Sequence, residues 1–469
     1  MSQYKSVTEA DLNFFGTVCQ HWQIHSDQET LLKYSKDETE DISLLPQLVL
    51  MPNSVEQVSE ILNYCNQNYI PVTPRGAGTG LSGGALPLFG GIVLSMEKFN
   101  QIIEIDERNL QATVEPGVIN QVFQDEVAKK GLFYPPDPAS RGSCFLGGNI
   151  AHASGGPRAV KYGVTRDYVL NLQVVLPNGD VIWTGANTLK NSTGYSLTHL
   201  MIGSEGTLGV VTKIVFKLIP LPQKNVLMLV PFNEAEKACE AVAAVFYSGI
   251  VPSAMEFMER DAIDWTLKFV EGINLVVDDQ VQAHLLIELD GNDLDVLMKE
   301  AEIVAEVVAK FECGEILFAE TEAQKQNLWK MRRSVAEAVK SNSVYKEEDT
   351  VVKRAELPKL LKGVKQIGKK YGFKSVCYGH AGDGNLHVNI IKGDLSDENW
   401  SSMIPLGIAE IFQLCVKLGG TISGEHGIGL VQKNYLEIAQ SKAQIDLQIG
   451  IKKLFDPNFI LNPGKIFNV

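Results

Sequence analysis

Three glycine-rich stretches, PRGAGTGLSGGALPLFGG, CFLGGNIAHASGGPRAVKYG and MIGSEGTLGVV, each stand beside a strand-like run and limit what this chain can fold into. Glycine loses more conformational freedom on folding than any other residue, so each cluster carries an entropic cost that packing does not explain. A plain surface loop accounts for one such cluster more readily than for three. Gly78, Gly80 and Gly83 satisfy the G-x-G-x-x-G spacing of dinucleotide sites. The Rossmann arrangement, however, needs a helix directly after the loop, so that its N-terminus faces the pyrophosphate. Here Pro87, Gly90, Gly91 and a strand follow, and no Lys-Ser/Thr pair closes a Walker loop. The remaining reading is a nest, whose backbone N–H groups converge on a diphosphate with no Cβ in the way.

Strand and helix signals interleave around these loops. An apolar run at 47–51 leads into Ser54, which can cap a helix with Gln57 answering three residues later. Val55, Val58, Leu62 and Cys65 then share one face. Strands are expected at 70–73, 92–95, 112–114, 169–176 and 210–218, and a helix at 120–130 that stops at Gly131. After LIPLP the pattern becomes long amphipathic helices at 234–247, 295–312 and 323–341, with a strand at 284–289. A last helix at 443–454 runs into FDPNFILNPGKIF. The expected class is α+β, with a domain boundary near Pro220.

Composition narrows the function. A chain of 469 residues, 45% hydrophobic, buries more than one core. Its net charge of -14 repels nucleic-acid phosphates and anionic lipid, and no basic patch overrides it. No apolar run approaches the roughly 20 residues of a membrane-spanning helix. The N-terminus lacks the basic start and apolar core of a leader, so a cytoplasmic location is expected. Seven cysteines without close spacing argue against a disulfide framework and an iron-sulfur cluster.

The segments PRGAGTGLSGG, YPPDPAS, LGGNIAHASGG, VLPNGDV, GSEGTLGVVT and ILNPGK, in that order, resemble the FAD-linked oxidase family, the vanillyl-alcohol oxidase or PCMH-type flavoproteins. The resemblance implies a PCMH-type two-subdomain FAD-binding domain at 1–220, an inserted α+β cap (substrate) domain at 221–420, and a C-terminal segment at 421–469 returning to the FAD domain. It implies that Arg75, Gly76, Ala77, Gly78, Thr79 and Gly80 clasp the pyrophosphate, and that Gly147, Gly148, Asn149, Gly155 and Gly156 lie along the flavin. Glu205, Gly206, Gly209 and Val211 would hold the adenosine half, and Asn462 would approach the isoalloxazine. Relatives with covalent flavin carry histidine where Thr79 stands, which implies non-covalent FAD.

Of eight histidines, three fall in two short motifs, YGHAGDGNLHVN with His380 and His387, and ISGEHGIG with Glu425 and His426. The turn chemistry of AGDGN between strand-like runs should fold the chain back and bring both imidazoles together across a hairpin. Ordinary polar turn residues are the plain alternative for any one histidine. Two imidazoles and a carboxylate make an open divalent site, with Zn2+ favoured and Mn2+, Fe2+ or Co2+ allowed. Adjacent residues of a regular strand point to opposite sides, so Glu425 and His426 need the irregular turn that Gly424 and Gly427 permit. Both motifs resemble the D-lactate, glycolate and D-2-hydroxyglutarate dehydrogenases of that family. The resemblance makes His380, His387 and Glu425 metal ligands, His426 the general base, Asn389 a substrate contact, and Arg332 and Lys346 the partners of the substrate carboxylate. Ala336 stands where the hydroxyglutarate enzyme has a substrate-contacting threonine.

The implied activity is FAD-dependent, metal-assisted oxidation of a small D-2-hydroxy acid to the 2-oxo acid, with the hydride going to flavin N5. An imidazole, ordinarily with a pKa of about 6.5, suits the role of base. The expected partners are the 2-hydroxy acid and an external electron acceptor: a quinone, a cytochrome, an electron-transferring flavoprotein or an iron-sulfur subunit. A homodimer is allowed for. The alternatives are a metal-dependent hydrolase with structural glycine loops, and an FAD-holding relay subunit of a respiratory glycolate or lactate oxidase complex.

Overall fold

The computed structural model describes residues 4–273 and 275–468. Residues 1–3, part of the N-terminus read above, Asn274, and Val469, the last residue of the expected 421–469 segment, lie outside the described residues. The chain divides into two compact units. One comprises Met1–Ser154, Val164–Leu221 and Glu425–Val469, the other Gly155–Gly163 and Pro222–Gly424.

In the first unit Leu48–Leu50, Ile92–Ser95 and Val72–Arg75 pair in parallel, with Ile24–His25 antiparallel at the edge. Leu48–Leu50 and Ile92–Ser95 read as apolar runs because both of their faces are buried. Ser54 accepts a hydrogen bond from the Gln57 N–H at 3.3 Å and starts the helix Val55–Asn68. That helix buries Val58, Ile61, Leu62 and Cys65, and each of the three aliphatic side chains contributes about 1.5–3 kcal/mol on leaving water. Val72–Arg75 opens straight into the glycine loop with no helix after it, as the non-Rossmann reading requires. The C-terminal segment returns to this strand, where the Val72 N–H donates to the Ile460 carbonyl at 2.8 Å and the Val72 carbonyl accepts the Asn462 N–H at 2.7 Å. A five-stranded antiparallel sheet, in the order Ile102–Asp106, Gln111–Val114, Val210–Lys217, Val169–Val175 and Val181–Trp183, completes the unit.

The second unit is built on a seven-stranded antiparallel sheet, in the order Leu317–Phe318, Lys224–Phe232, Ala283–Gly291, Ala254–Glu259, Lys374–Gly379, Asn385–Ile391 and Tyr345–Val351. The helix expected at 323–341 is two helices, Glu322–Arg333 and Val335–Asn342, broken at Ser334 where ψ is 0°. The break follows immediately on Arg333, so Arg332 stands in the last turn of a capped helix, where cations are favoured.

Candidate active site

The two histidines of the first motif are carried by a real hairpin. Lys374–Gly379 and Asn385–Ile391 pair antiparallel with Tyr378 opposite His387, and His380 begins the turn between them. Gly384 makes that turn possible: it sits at φ +86°, and a Cβ there would lie 2.0 Å from the Val352 carbonyl oxygen. The imidazoles of His380 and His387 end up 5.4 Å apart, centre to centre, and nearly perpendicular, and both are buried.

Glu256, on the neighbouring strand Ala254–Glu259, orients the first of them. Its carboxylate lies 2.9 and 3.0 Å from His380 Nδ1 and 2.7 Å from Arg332 Nη2. Burial pushes the Glu256 carboxyl upward, but His380 and Arg332 outweigh it and hold the pKa below its ordinary value. With Nδ1 committed, Nε2 is the nitrogen His380 offers to an ion, the usual device by which a carboxylate fixes a liganding imidazole. Glu256 escaped the sequence reading because 124 residues separate it from His380. The Arg332 guanidinium lies 5.1 Å over the Tyr378 ring, and its Nε finds no hydrogen-bond partner. Asn389 is fully buried beside the Tyr378 hydroxyl, and neither of its amide atoms makes a well-formed hydrogen bond. Unmade hydrogen bonds of buried polar groups are expensive, and an anionic ligand with hydroxyl and carboxylate oxygens would satisfy these.

Strand register decides which predicted residues share this face. Glu347 stands opposite Asn389 and Asp349 opposite His387, so all four side chains belong to one side of the sheet. Glu347 Oε1 is 3.3 Å from His387 Nδ1. Lys346 stands opposite Ile390 and therefore belongs to the other side. The expectation that Lys346 joins Arg332 at the substrate carboxylate is corrected by this register, since a strand's side chains alternate with period two. Asp349 instead secures the approach to the second motif. Its Oδ2 accepts the Gly424 N–H at 2.7 Å, and Glu425 and His426 follow Gly424 directly as the opening residues of the other unit's last segment.

Within that other unit the segment after His426 is tightly held. Ser82 Oγ donates to the His426 carbonyl at 2.9 Å, and the buried Glu205 carboxylate accepts the Ile428 and Gly429 N–H groups at 2.8 and 2.7 Å. Burial raises the Glu205 pKa against the opposing pull of His152 and those N–H groups. Asn462 Nδ2 donates to the Gly84 and Glu205 carbonyls at 2.9 and 2.8 Å. The Glu205 carboxylate and the Asn462 amide thus bind the protein's own loops. Gly209 packs on Val174, which a Cβ would approach to 2.4 Å, and Val211 stands at a bulge in its strand. Asn149 is bonded to Asn120 at 3.0 Å within a helix, Leu146–His152, that the glycine pattern hid.

The first glycine loop fits a diphosphate. Arg75 is buried, donates Nη2 to the Lys36 carbonyl at 2.7 Å, and leaves Nη1 with no hydrogen-bond partner. Desolvation lowers the Arg75 pKa, a cost that a bound anion would offset. Gly78, at φ +77°, keeps the space clear, because a Cβ there would lie 2.1 Å from Arg75 Nη2.

Residues 221–466 match the profile of the FAD linked oxidases, C-terminal domain, and residues 46–185 that of an FAD binding domain. The chain belongs to the FAD linked oxidases. This FAD-linked oxidase is 40% identical over 439 residues to the glycolate oxidase subunit GlcD of Bacillus subtilis (strain 168), covering 93% of this chain and 92% of that one. It is 38% identical to a D-lactate dehydrogenase of Anaerostipes hadrus, over 90% and 89% of the two chains, and 34% identical to a D-2-hydroxyglutarate dehydrogenase of Stutzerimonas stutzeri (strain A1501), over 96% and 97%. Among solved structures, p-cresol methylhydroxylase with substrate bound superposes with a TM-score of 0.79 at 20% identity, over 99% of this chain and 98% of that one. A 4-ethylphenol oxidase from Gulosibacter chungangensis does so with a TM-score of 0.77 at 17% identity, each chain covered to 99%. The FAD-linked oxidase therefore has the PCMH-type α+β fold and is an FAD-linked oxidoreductase. Among the described residues no helix is long and apolar enough to cross a membrane.

Proposed function

We propose that this FAD-linked oxidase oxidises a small D-2-hydroxy acid to the 2-oxo acid. The observation that carries the reading is the buried group of His380, Glu256, Arg332 and Asn389, in which Arg332 Nε and the Asn389 amide make no well-formed hydrogen bond. The names of its relatives, enzymes of glycolate, D-lactate and D-2-hydroxyglutarate, support it. When bound, FAD accepts the hydride and a divalent ion, Zn2+ favoured, makes the α-hydroxyl more acidic. His380 and His387 are the imidazole donors for that ion and Glu425 its carboxylate donor, with Glu256 setting the ring of His380. Arg332 forks the substrate carboxylate, Asn389 donates to and accepts from the substrate oxygens, and His426 takes the hydroxyl proton. Arg75 and the loop to Gly80, with Gly147 and Gly148, hold non-covalent FAD. The electrons leave to an external acceptor; the relative named a glycolate oxidase subunit favours a separate protein in that role.

The test is anaerobic mixing of the purified holoprotein with both enantiomers of lactate and 2-hydroxyglutarate, and with glycolate. Flavin absorbance should bleach with at least one D-acid or with glycolate, and His426→Ala should retain FAD while bleaching at least about a hundredfold more slowly. Full-speed bleaching by His426→Ala removes the base assignment, and no bleaching with any acid removes the reading as a whole.

A further inference from the structure

The stretch Gly155–Gly163 is flanked on both sides by chain of the first unit, yet it belongs to the second. Such an excursion needs specific anchors, and three side chains of the strap supply them. Arg158 Nη2 lies 3.2 Å from Glu288 Oε1, and Arg158 Nη1 lies 3.5 Å from Asp290 Oδ2. Lys161 Nζ pairs with Asp290 Oδ1 at 2.6 Å and donates to its carbonyl at 2.8 Å, while the Tyr162 hydroxyl lies 2.9 Å from both carboxylate oxygens. Glu288 and Asp290 are buried, so these are not screened surface pairs of negligible worth.

Two connections run from this anchor to the groups that would handle substrate. The other oxygen of Glu288 accepts the Trp329 Nε1–H at 2.7 Å, and Trp329 stands in the same helix as Arg332, one turn earlier. Glu288 lies opposite Ala254 and Glu256 opposite Leu286, so both carboxylates belong to the same face of the sheet. Val160 of the strap packs over Gly382, the middle of the turn between His380 and His387, where a Cβ would come within 2.6 Å of Val160 Cγ2.

We infer that Arg158 and Glu288 are positioning residues, a latch that sets the strap against the helix of Arg332 and the turn of His380. The inference rests on the proposed function and on the family resemblance, which implies that Gly155 and Gly156 at the head of the strap lie along the flavin. It assigns to the latch the alignment of flavin with substrate, which a static ion pair elsewhere on the surface would not control. Displacements of about 1 Å at a reacting centre cost on the order of a hundredfold in rate.

The test compares Arg158→Gln, Arg158→Lys and Glu288→Gln holoproteins with wild type. Bleaching is scored per bound flavin, against whichever acid wild type uses, and the visible spectrum of the oxidised flavin is recorded without substrate. Arg158→Gln and Glu288→Gln should slow limiting bleaching by about tenfold to a hundredfold and shift the flavin band, and Arg158→Lys should recover most of both. Glu288→Gln keeps the side chain's size and decides the matter if the arginine variant does not fold. Wild-type bleaching per flavin with an unmoved band, even where FAD content or thermal stability drops, overturns the latch. If wild type bleaches with none of the acids, the proposed function fails, and the latch is then judged on the band alone.

Discussion

At the residue scale, the difference between Arg332 and Lys346 is the sharpest consequence of the structure. Both are basic and both match a carboxylate-binding pattern, but only Arg332 stands among His380, Glu256 and Tyr378. Arg332→Met should raise the KM for the acid about a hundredfold, because a forked charge-assisted pair is lost, whereas Lys346→Met should leave it within about threefold. Steady-state kinetics on the two variants checks this, and equal effects would contradict the strand register. Glu256 gives a second expectation. Glu256→Gln leaves His380 in place with a weaker hold on its ring, and should lower affinity for the divalent ion by about tenfold to a hundredfold in a calorimetric titration. Unchanged affinity would leave Glu256 as a counter-ion of Arg332 alone.

At the scale of elements, the central strand Ala283–Gly291 carries unlike polar residues for unlike reasons. Glu288 and Asp290 near its end receive the strap, whereas His284 at its start is buried with Nδ1 unbonded. Burial, aided by Arg260, lowers the His284 pKa from 6.5 to about 4. The folded state therefore refuses a proton that the unfolded chain accepts, so the stabilising difference is full above pH 6.5 and is lost as pH falls toward 4. The loss amounts to about 3 kcal/mol, and His284→Gln should flatten the dependence of Tm on pH across that window. An unaltered acid limb would place the destabilisation elsewhere. The hairpin of His380 and His387 was legible in sequence because AGDGN is local turn chemistry. The break at Ser334 was not, since no glycine or proline marks it and the apolar period runs on through it.

At the scale of the whole molecule, each unit has its own core, one gathered around Leu48, Ile61, Ile92 and Leu461, the other around Leu227, Leu286, Met331 and Tyr378. FAD bound only to the native protein should stabilise it by about 2.7 kcal/mol at a hundred times Kd. Stripping FAD should lower Tm in a calorimetric scan and re-addition restore it, while an unchanged Tm would mean that the Arg75 loop does not hold the cofactor. By itself the sequence determined the matters that depend on neighbours along the chain. These were the first glycine loop without a Rossmann helix after it, the α+β alternation, the histidine hairpin, and the absence of any long apolar helix among the described residues. Tertiary structure decided the rest: that Glu256 serves His380, that Lys346 faces away, that Glu205 and Asn462 hold internal loops, and that Gly155–Gly163 joins the second unit. Propensity and periodicity act over a few residues, whereas strand register and long-range ion pairs arise only once segments a hundred or more residues apart pack together, as Glu256 and His380 do at a separation of 124.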